Sequence, residues 1–370
     1  MDLVAPLGKA GVECVAIARK GDPTRYSRYV NKSLDTVDVW NEPESMVERL
    51  LTAAAAEEQK PVLFYQTDPD LVMVSRFRDE LSEGFLLDVA APKLVEELVD
   101  KAAFHDLAER HDLPVPKTVL LNPGDPVAKA EALPLPVIMK PALRKPEGWV
   151  PVANTAKAVE ADTVEELRSL WSTFDESGVA VIVQEMLMGP ESDIESHHVY
   201  IDSAGEFAGE FTGRKIRTKP LKFGISTSVE VVDIPAIRRL GRDICERVGL
   251  TGVAKLDFKR NHYGHPILLE INARYTLWHN PGAVAGVNIP GMVYADLTGT
   301  PRPAVTPVTK PVRWVKPWFD ISAAKEDGLS MASWMKFVAT CQTKSAVSWR
   351  DPKGAAAAAK FGVNQRLGKF

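Results

Sequence analysis

The chain has 370 residues, 45% of them hydrophobic and 25% charged, which is ordinary for a globular protein of two or three domains. Lys and Arg total 45 against 49 Asp and Glu, so the net charge of -4 gives no support for a nucleic-acid partner. No apolar run reaches the roughly 18 residues of a membrane-spanning helix, and the N-terminus lacks the features of a signal peptide. Three widely spaced cysteines favour reduced thiols over disulfides or a zinc site. These observations predict a cytoplasmic protein with no membrane partner.

Residues 1–90 alternate between strand and helix patterns, which predicts an α/β, Rossmann-like domain with a parallel sheet. The predicted elements are a strand at Val12–Ala18, a helix at Ser45–Glu58, a strand at Pro61–Tyr65 and a helix at Asp70–Leu81. The segment Leu3–Lys9 has the pattern of a helix end, although such a domain usually begins with a strand and a glycine-rich turn. No dinucleotide fingerprint is present, and two interpretations are open: the start of the domain is truncated, so that its first strand is missing, or the domain is degenerate.

Residues 91–300 combine helices with strands that favour antiparallel pairing, which indicates an α+β region. The predicted elements are a helical stretch at 92–113, a strand at Leu135–Pro141, a helix at Thr163–Phe174, a strand at Val179–Met188, paired strands at His197–Ile201 and Glu206–Thr212, and a helix at Pro235–Val248. Residues 301–370 are rich in proline and tryptophan and are predicted to form an appendage on the main body.

A β-hairpin is predicted at Val253–Arg274, where two strand-like runs flank an Asn-His-Tyr-Gly-His turn cluster. A turn at the centre of this cluster places Asp257 directly opposite Glu270. The same register places Lys255 opposite Asn272.

Two carboxylates across an antiparallel pair repel each other, at a cost of about 3 kcal/mol for roughly 5 Å and an effective dielectric of about 20. A bound divalent cation reverses the sign, and carboxylate and amide oxygens are ligands that Mg²⁺ accepts. Strand alternation defines the two faces of the hairpin: Leu268, Glu270, Asn272 and Arg274 lie on one, and Ile267, Leu269 and Ile271 on the other. The alternative interpretation is an amphipathic hairpin with a solvated acidic face.

The order of several motifs resembles the ATP-grasp superfamily, in particular its carboxylate–amine ligases and biotin-carboxylase-like members. The matching segments are Asp100–Phe104 with Leu113–Pro116, Val137–Pro141, Val183–Glu191, Leu256–Phe258 and Leu269–Arg274. Gly213–Arg217 and the serine-rich Gly224–Ser228 are also similar to segments of predicted ATP-dependent carboligases.

The resemblance implies a particular domain order. A Rossmann-like pre-ATP-grasp domain would occupy residues 1–90. A two-subdomain ATP-grasp domain with mixed and antiparallel sheets would occupy 91–300, with its lid-side subdomain at about 115–188. The appendage would occupy 301–370.

The resemblance also implies where ATP binds. Lys101 and Lys140 would bind its phosphates, since a lysine ammonium is a compact charge suited to phosphate oxygens. The strand end formed by Glu185, Met186 and Leu187 would face adenine, and Glu191 would hold the ribose hydroxyls. The alternatives are solvated lysines and a carboxylate in a turn.

A metal site and a set of catalytic residues follow from the same resemblance. The implied ligands of Mg²⁺, or of Mn²⁺ in its place, are Asp257, Glu270 and Asn272. Arg274 would stabilise an acyl-phosphate or clamp a substrate carboxylate. Lys215 and Arg217 point the same way if their segment is a strand, and would contact the γ-phosphate or the acyl-phosphate. A basic strand edge that blocks aggregation is the alternative for this pair.

Three further segments qualify this interpretation. The expected lid loop, Ala142–Trp149, contains a single glycine where the family is commonly glycine-rich, and closure is expected to move about Leu143–Lys157. His197 and His198 face opposite sides of a strand and so cannot form a paired metal site. Trp278–Asn280 would line the acceptor pocket or pack in the core.

The function implied is an ATP-dependent ligase that joins a carboxylate to an amine through an acyl-phosphate and releases ADP. A bicarbonate-dependent carboxylase, a phosphotransferase and a non-catalytic nucleotide-binding protein are the alternatives. The expected partners are small-molecule or peptide substrates, and a homodimer is left open. The sequence does not identify the acid or the amine.

Overall fold

The computed structural model describes residues 1–142, 149, 158–345 and 351–366. The first 90 residues form a small parallel sheet with helices around it. The elements are α1 Val4–Lys9, β1 Cys14–Ala18, β2 Val30–Asp35, α2 Pro43–Ala54, α3 Asp68–Arg76 and α4 Arg78–Gly84. Strands β1 and β2 pair in parallel, as the alternation of strand and helix predicts. The strand predicted at Pro61–Tyr65 is reduced to a single bridge between Val62 and Leu86.

Two helices, α5 Pro92–Val99 and α6 Lys101–Arg110, occupy the helical stretch predicted at 92–113. Asp100 separates them because its backbone is extended and its side chain accepts from the N–H groups of Ala102 and Ala103, at 2.9 and 2.8 Å. An N-cap of this kind starts a new helix. The cap makes Lys101 the first residue of α6.

The next part of the chain forms a four-stranded antiparallel sheet in the order β3-β6-β4-β5. Its elements are β3 Thr118–Leu121, α7 Ala128–Glu131, β4 Val137–Pro141, β5 Val159–Ala161, α8 Val164–Glu176 and β6 Val181–Glu185. Thr163 caps α8 in a capping box with Glu166. Leu167, Trp171 and Phe174 of this helix are buried in a core that belongs to this sheet and is separate from the main one.

A seven-stranded sheet follows, in the order β11-β10-β7-β8-β9-β12-β13. Its strands are β7 Glu195–Ile201, β8 Phe207–Lys219, β9 Ile225–Val231, β10 Gly252–Arg260, β11 Pro266–Asn272, β12 Val312–Val315 and β13 Thr343–Lys344. The helices of this part are α9 Pro235–Arg247, α10 His279–Val284, α11 Ile289–Thr298, α12 Pro317–Glu326, α13 Met331–Thr340 and α14 Pro352–Arg366. All pairs are antiparallel except β12 with β13.

The segment after residue 300 is joined to the main sheet as well as packed on it. Strand β12 pairs with β9 along four residues. The buried carboxylate of Asp2 accepts from Trp314 Nε1 at 2.8 Å, Asn280 Nδ2 at 3.1 Å and Ser345 Oγ at 2.5 Å. The N-terminus is therefore fixed to the C-terminal part of the sheet. No helix in the described ranges is long and apolar enough to cross a membrane.

Candidate active site

The hairpin formed by β10 and β11 has the predicted register around the two carboxylates. Asp257 pairs with Glu270, and Lys255 pairs with Asn272. A bulge then shifts the register, so that Phe258 lies opposite Leu268. The predicted alternation is wrong at Leu268, which is completely buried.

Asp257 is a buried carboxylate with two close donors. Ser196 Oγ donates to its Oδ1 at 2.5 Å, and Lys255 Nζ donates to its Oδ2 at 2.5 Å. Burial alone would raise the pKa of Asp257, but the charges of Lys255 and Lys215 outweigh it and hold this pKa below its usual value. Asp257 is therefore ionised, and Lys255 supplies part of the countercharge that the sequence predicts a metal ion would provide. Alternation along β10 could have identified Lys255, because it is two residues from Asp257 on the same face.

Glu270, Asn272 and Arg274 form a hydrogen-bonded row, as their predicted common face requires. Asn272 Nδ2 donates to Glu270 Oε1 at 2.9 Å, and Arg274 Nη2 donates to Asn272 Oδ1 at 2.9 Å. The other side of the Arg274 guanidinium meets the N-terminal part of the chain, where its Nε donates to Asp68 Oδ1 at 2.5 Å.

Lys101 and Lys140 line one small pocket of about 60 Å³ between the four-stranded sheet and β11. Its remaining lining residues are Phe104, His105, Val115, Thr118, Ile182, Gln184 and Leu269. Lys140 Nζ donates to Gln184 Oε1 at 3.0 Å, and Lys101 Nζ donates to the carbonyl oxygen of Pro141 at 3.0 Å. The structure therefore brings the two predicted phosphate lysines together.

Burial lowers the pKa of Lys140 to about 8, and the charge of Lys101 acts in the same direction. The carboxylate of Glu270 opposes this shift. The lysines and a predicted metal ligand thus lie within electrostatic reach of one another. Sequence reasoning missed Phe104 and Gln184. Helical spacing from Lys101 points to Phe104, whereas Gln184 had no separate signal.

The predicted adenine strand is β6 and the residues that follow it. The N–H of Glu185 donates to the carbonyl of Lys117, and the N–H of Met186 donates to the carbonyl of Pro136, both at 2.9 Å. Within the described part of the chain, the amide of Leu187 donates to no backbone carbonyl. If this strand end faces adenine, hydrogen bonds to the edge of the base would therefore come from Leu187 N–H and the carbonyl groups nearby.

Glu191 and Lys215 also come together at this side of the sheet. Glu191 begins a turn of 3-10 helix, Glu191–Asp193, and its Oε2 lies 3.7 Å from Lys215 Nζ. The N–H of Lys215 donates to the carbonyl of Ile194 at 3.0 Å, which fixes the turn to β8. Since the charge of Lys215 also lowers the pKa of Asp257, this lysine connects the predicted ribose carboxylate to the predicted metal ligands.

Arg217 has a different environment from Lys215. Its Nε and Nη2 donate to the two carboxylate oxygens of Asp320 in α12, at 3.0 and 2.7 Å, and its guanidinium lies 4.4 Å from the ring centroid of Phe337 in α13. A register shift between Lys215 and Arg217 interrupts the alternation that would have pointed them the same way. The structure brings Lys215 to Asp257 and places Arg217 against the C-terminal helices.

The adjacent histidines face opposite sides of β7, as predicted. His197 Nε2 lies 2.9 Å from Glu210 Oε2, whereas the ring of His198 stacks on Phe211 with centroids 4.5 Å apart. Burial lowers the pKa of both rings. Trp278 is completely buried beside His198, which favours packing for this part of Trp278–Asn280. The lid motion expected at Leu143–Lys157 falls on residues that lie outside the described ranges, with the exception of Trp149.

Comparison with known proteins finds a family match and solved structures of similar architecture. The family described as "ATP-grasp in the biosynthetic pathway with Ter operon" matches residues 179–317. A solved ADP complex of N5-carboxyaminoimidazole ribonucleotide synthetase is similar with a TM-score of 0.65 at 13% identity, over 88% of this chain and 81% of that one. An L-amino acid ligase from Bacillus licheniformis is similar with a TM-score of 0.60 at 14% identity, over 84% of this chain and 70% of that one.

The structural similarities show the fold of ATP-grasp proteins, so the predicted fold class is confirmed, and the family match covers part of the same region. In sequence, the chain is 27% identical over 265 residues to a D-aspartate ligase of Enterococcus faecium (strain Aus0004). This match covers 68% of the chain but 62% of the relative, so the chain spans less than two thirds of that ligase.

Proposed function

We propose that this protein is an ATP-dependent ligase that joins a carboxylate to an amine and forms ADP. The observation that carries the proposal is the convergence of Lys101 and Lys140 at one pocket, within electrostatic reach of Glu270. Asp257 lies across the ladder from Glu270. Two lysines beside an acidic cross-strand pair fit a nucleotide whose phosphates are bound by cations on one side and by a metal on the other. The similarity to a D-aspartate ligase supports the same reaction class.

The donor set fits Mg²⁺, with Mn²⁺ as an alternative. No cluster of three or more His, Cys, Asp or Glu side chains suited to a metal exists in the described part of the chain. Two carboxylates and one amide oxygen, from Asp257, Glu270 and Asn272, are nonetheless what Mg²⁺ uses when phosphate oxygens complete its coordination. When bound there, the ion would neutralise charge that develops on the transferred phosphoryl group.

The chain's own residues would do the rest by position and charge. Lys101 and Lys140 would bind phosphate oxygens, the β6 end would hold the base, and Glu191 would accept from the ribose hydroxyls. The substrate carboxylate attacks the γ-phosphorus and displaces ADP, and the amine then displaces phosphate from the acyl-phosphate and forms the amide. Arg274, at the end of the β11 row, would bind the carboxylate or the acyl-phosphate. Lys215 is proposed for the same role. Arg217 is proposed for it as well, although its guanidinium contacts Asp320 and Phe337.

The carboxylate is proposed to belong to an amino acid. Two of the similar proteins are named for amino-acid ligation, one of aspartate and one of L-amino acids. We also propose a cytoplasmic location and the division into residues 1–90, 91–300 and 301–370, with strands β12 and β13 of the last part completing the sheet of the second. A homodimer stays a prediction.

Hydroxylamine provides a test that does not require the amine to be known, because it captures an acyl-phosphate as a hydroxamate. Purified protein would be incubated with ATP, Mg²⁺, hydroxylamine and single amino acids, beginning with D-aspartate. ADP and hydroxamate formed in equal amounts, and only with a particular acid, would support the ligase. The matched control is Glu270→Gln, which removes one proposed metal ligand at an exposed position.

Other outcomes separate the alternatives. AMP instead of ADP would contradict the mechanism. ADP formation that requires bicarbonate would indicate a carboxylase, and a phosphorylated product that resists hydroxylamine would indicate a phosphotransferase. ATP binding without turnover across the whole acid panel would leave a nucleotide-binding protein.

A further inference from the structure

We propose that Asp68, in the N-terminal part of the chain, is a positioning residue that fixes Arg274 for binding of the substrate carboxylate. This inference rests on the proposed function, and it makes the N-terminal domain a part of the active site. Asp68 is not among the residues that the motifs identify, and it lies 206 positions before Arg274 in the sequence.

The contact between the two residues is direct. Arg274 Nε donates to Asp68 Oδ1 at 2.5 Å, and Arg274 Nη1 donates to the carbonyl oxygen of Gln66 at 3.2 Å. The third donor, Nη2, contacts Asn272 Oδ1 at 2.9 Å. The two side chains of the ion pair are 20% and 32% exposed, so the site is accessible but not open to bulk water.

The guanidinium of Arg274 has more N–H groups than these three contacts use. A guanidinium has five N–H groups, and Asp68, Gln66 and Asn272 accept from three of them. Among the contacts within the described residues, one N–H on each of Nη1 and Nη2 remains, which is the number that a carboxylate or phosphoryl group accepts from an arginine. Because Asp68 accepts the single hydrogen on Nε, the donors that remain for a substrate are those of the two Nη atoms.

The segment that carries Asp68 is itself held in place. Thr67 and Asp70 form a capping box that starts α3, and Asp68 is the first residue of that helix. The N–H of Tyr275 donates to the carbonyl of Tyr65 at 3.3 Å. The ring of Tyr275 also makes edge contacts with Phe64 and Tyr65, with centroids 5.0 and 5.7 Å apart. Residues 64–68 and 274–275 are thus joined by backbone, aromatic and ionic contacts at one place.

This arrangement has a consequence for Asn272. Its Oδ1 is the atom that would ligate the metal, and it is also the atom that accepts from Arg274. If Asn272 turns this oxygen to the metal, Arg274 keeps its two partners from the N-terminal segment and does not move away. Asp68 therefore holds Arg274 in place independently of the metal ligands.

The alternative is that Asp68 only stabilises α3, since an acidic residue in the first turn favours a helix. Asp70 provides the matched control, because it lies in the same turn and completes the capping box without contacting Arg274. The variants are Asp68→Ala, Asp68→Asn, Asp70→Ala, Arg274→Ala and the double variant Asp68→Ala/Arg274→Ala. Each would be assayed with saturating hydroxylamine, varying the acid and ATP separately.

We expect Asp68→Ala to raise KM for the acid by about tenfold while KM for ATP changes by less than about twofold. Asp68→Asn, which keeps an acceptor for Arg274, should lie between wild type and Asp68→Ala. The double variant should be no worse than Arg274→Ala, because both changes remove the same interaction. Asp70→Ala should lower the melting temperature and leave both KM values unchanged. If Asp68→Ala does not fold, Asp68→Asn supplies the same comparison.

The inference is overturned if wild type is active and the Asp68 variants have its KM for the acid, or if the Asp68 and Arg274 effects add. A wild-type protein that forms no acid-dependent hydroxamate is a different result. It contradicts the proposed function, and the positioning role fails with it.

Discussion

Lys255 Nζ lies 2.5 Å from Asp257 Oδ2 on the face of β10 that meets Glu270. Both residues are buried, so the pair determines how the hairpin responds when either carboxylate is neutralised. Repulsion between Asp257 and Glu270 alone would predict that loss of either charge stabilises the fold. The lysine reverses that expectation for Asp257 only.

We therefore expect Asp257→Asn to destabilise the fold much more than Glu270→Gln, and both to have the same effect on activity. Asp257→Asn leaves Lys255 buried without its ionised partner, which can cost about 3–5 kcal/mol of unfolding free energy in the extreme case. Glu270→Gln changes an exposed side chain and should cost less than about 0.5 kcal/mol. Both should abolish acid-dependent ADP formation. Denaturant unfolding and the hydroxamate assay measure the two quantities, and an active Glu270→Gln variant would contradict the metal site.

A second prediction concerns Lys140 and pH. Its pKa of about 8 means that the ammonium is lost as pH rises through 8. If only the charged form binds ATP, affinity falls about fivefold between pH 8 and pH 9. Binding above pH 8 should also take up a proton, since phosphate favours the ammonium. Calorimetry in buffers of different ionisation enthalpy measures both effects.

Lys140→Arg is the matched variant because an arginine keeps its charge over this pH range. Its affinity for ATP should show no decline between pH 8 and pH 9. A wild-type affinity that is equally flat would contradict the prediction, because Lys140 would then either not contact the phosphates or keep its charge up to pH 9.

The hairpin shows how far the sequence predicts the site. Period-2 alternation and a turn cluster were sufficient to place Asp257 opposite Glu270 and to put Asn272 and Arg274 on one row. Alternation failed where a bulge inserts an extra residue, at Leu268 and again between Lys215 and Arg217. Bulges depend on packing of the two strands against their neighbours and have no clear local signal.

Long-range partners were the other limit. Nothing near Arg217 in the sequence indicates Asp320, 103 positions later, and nothing near Arg274 indicates Asp68. Such pairs are set by how the sheets and helices assemble. The capping residues Asp100 and Thr163, whose partners are local, are visible in the sequence.

We expect Arg217 to stabilise the packing of helices α12 and α13 through its contacts with Asp320 and Phe337. Asp320 is completely buried and also accepts from Thr227 Oγ1 at 2.7 Å and Trp334 Nε1 at 3.0 Å. Arg217→Met removes the cation and leaves this carboxylate uncompensated, so we expect a loss of about 3–5 kcal/mol in unfolding free energy. Adding Asp320→Asn should recover part of that loss. Equal instability of the single and double variants in denaturant would argue against the ion pair as the cause.

Asp88 predicts a pH dependence of stability that does not involve the active site. Burial raises its pKa to about 7, helped by the charge of Asp296, and within the described residues its Oδ2 has no hydrogen-bond partner. A carboxyl whose folded pKa is raised holds its proton in the folded state and loses it in the unfolded state. The wild-type protein therefore loses stability as pH rises from about 4 to about 7.

Asp88→Asn removes this titration and should be more stable than wild type, by a margin that grows by about 2–3 kcal/mol between pH 5 and pH 8. Urea unfolding at the two pH values measures the margin. Asp79→Asn, at an exposed position of α4, is the control, and its difference from wild type should not change with pH. A margin for Asp88→Asn that is the same at pH 5 and pH 8 would mean that Asp88 is ionised in the fold. In that case its charge must be compensated by a group that approaches Oδ2.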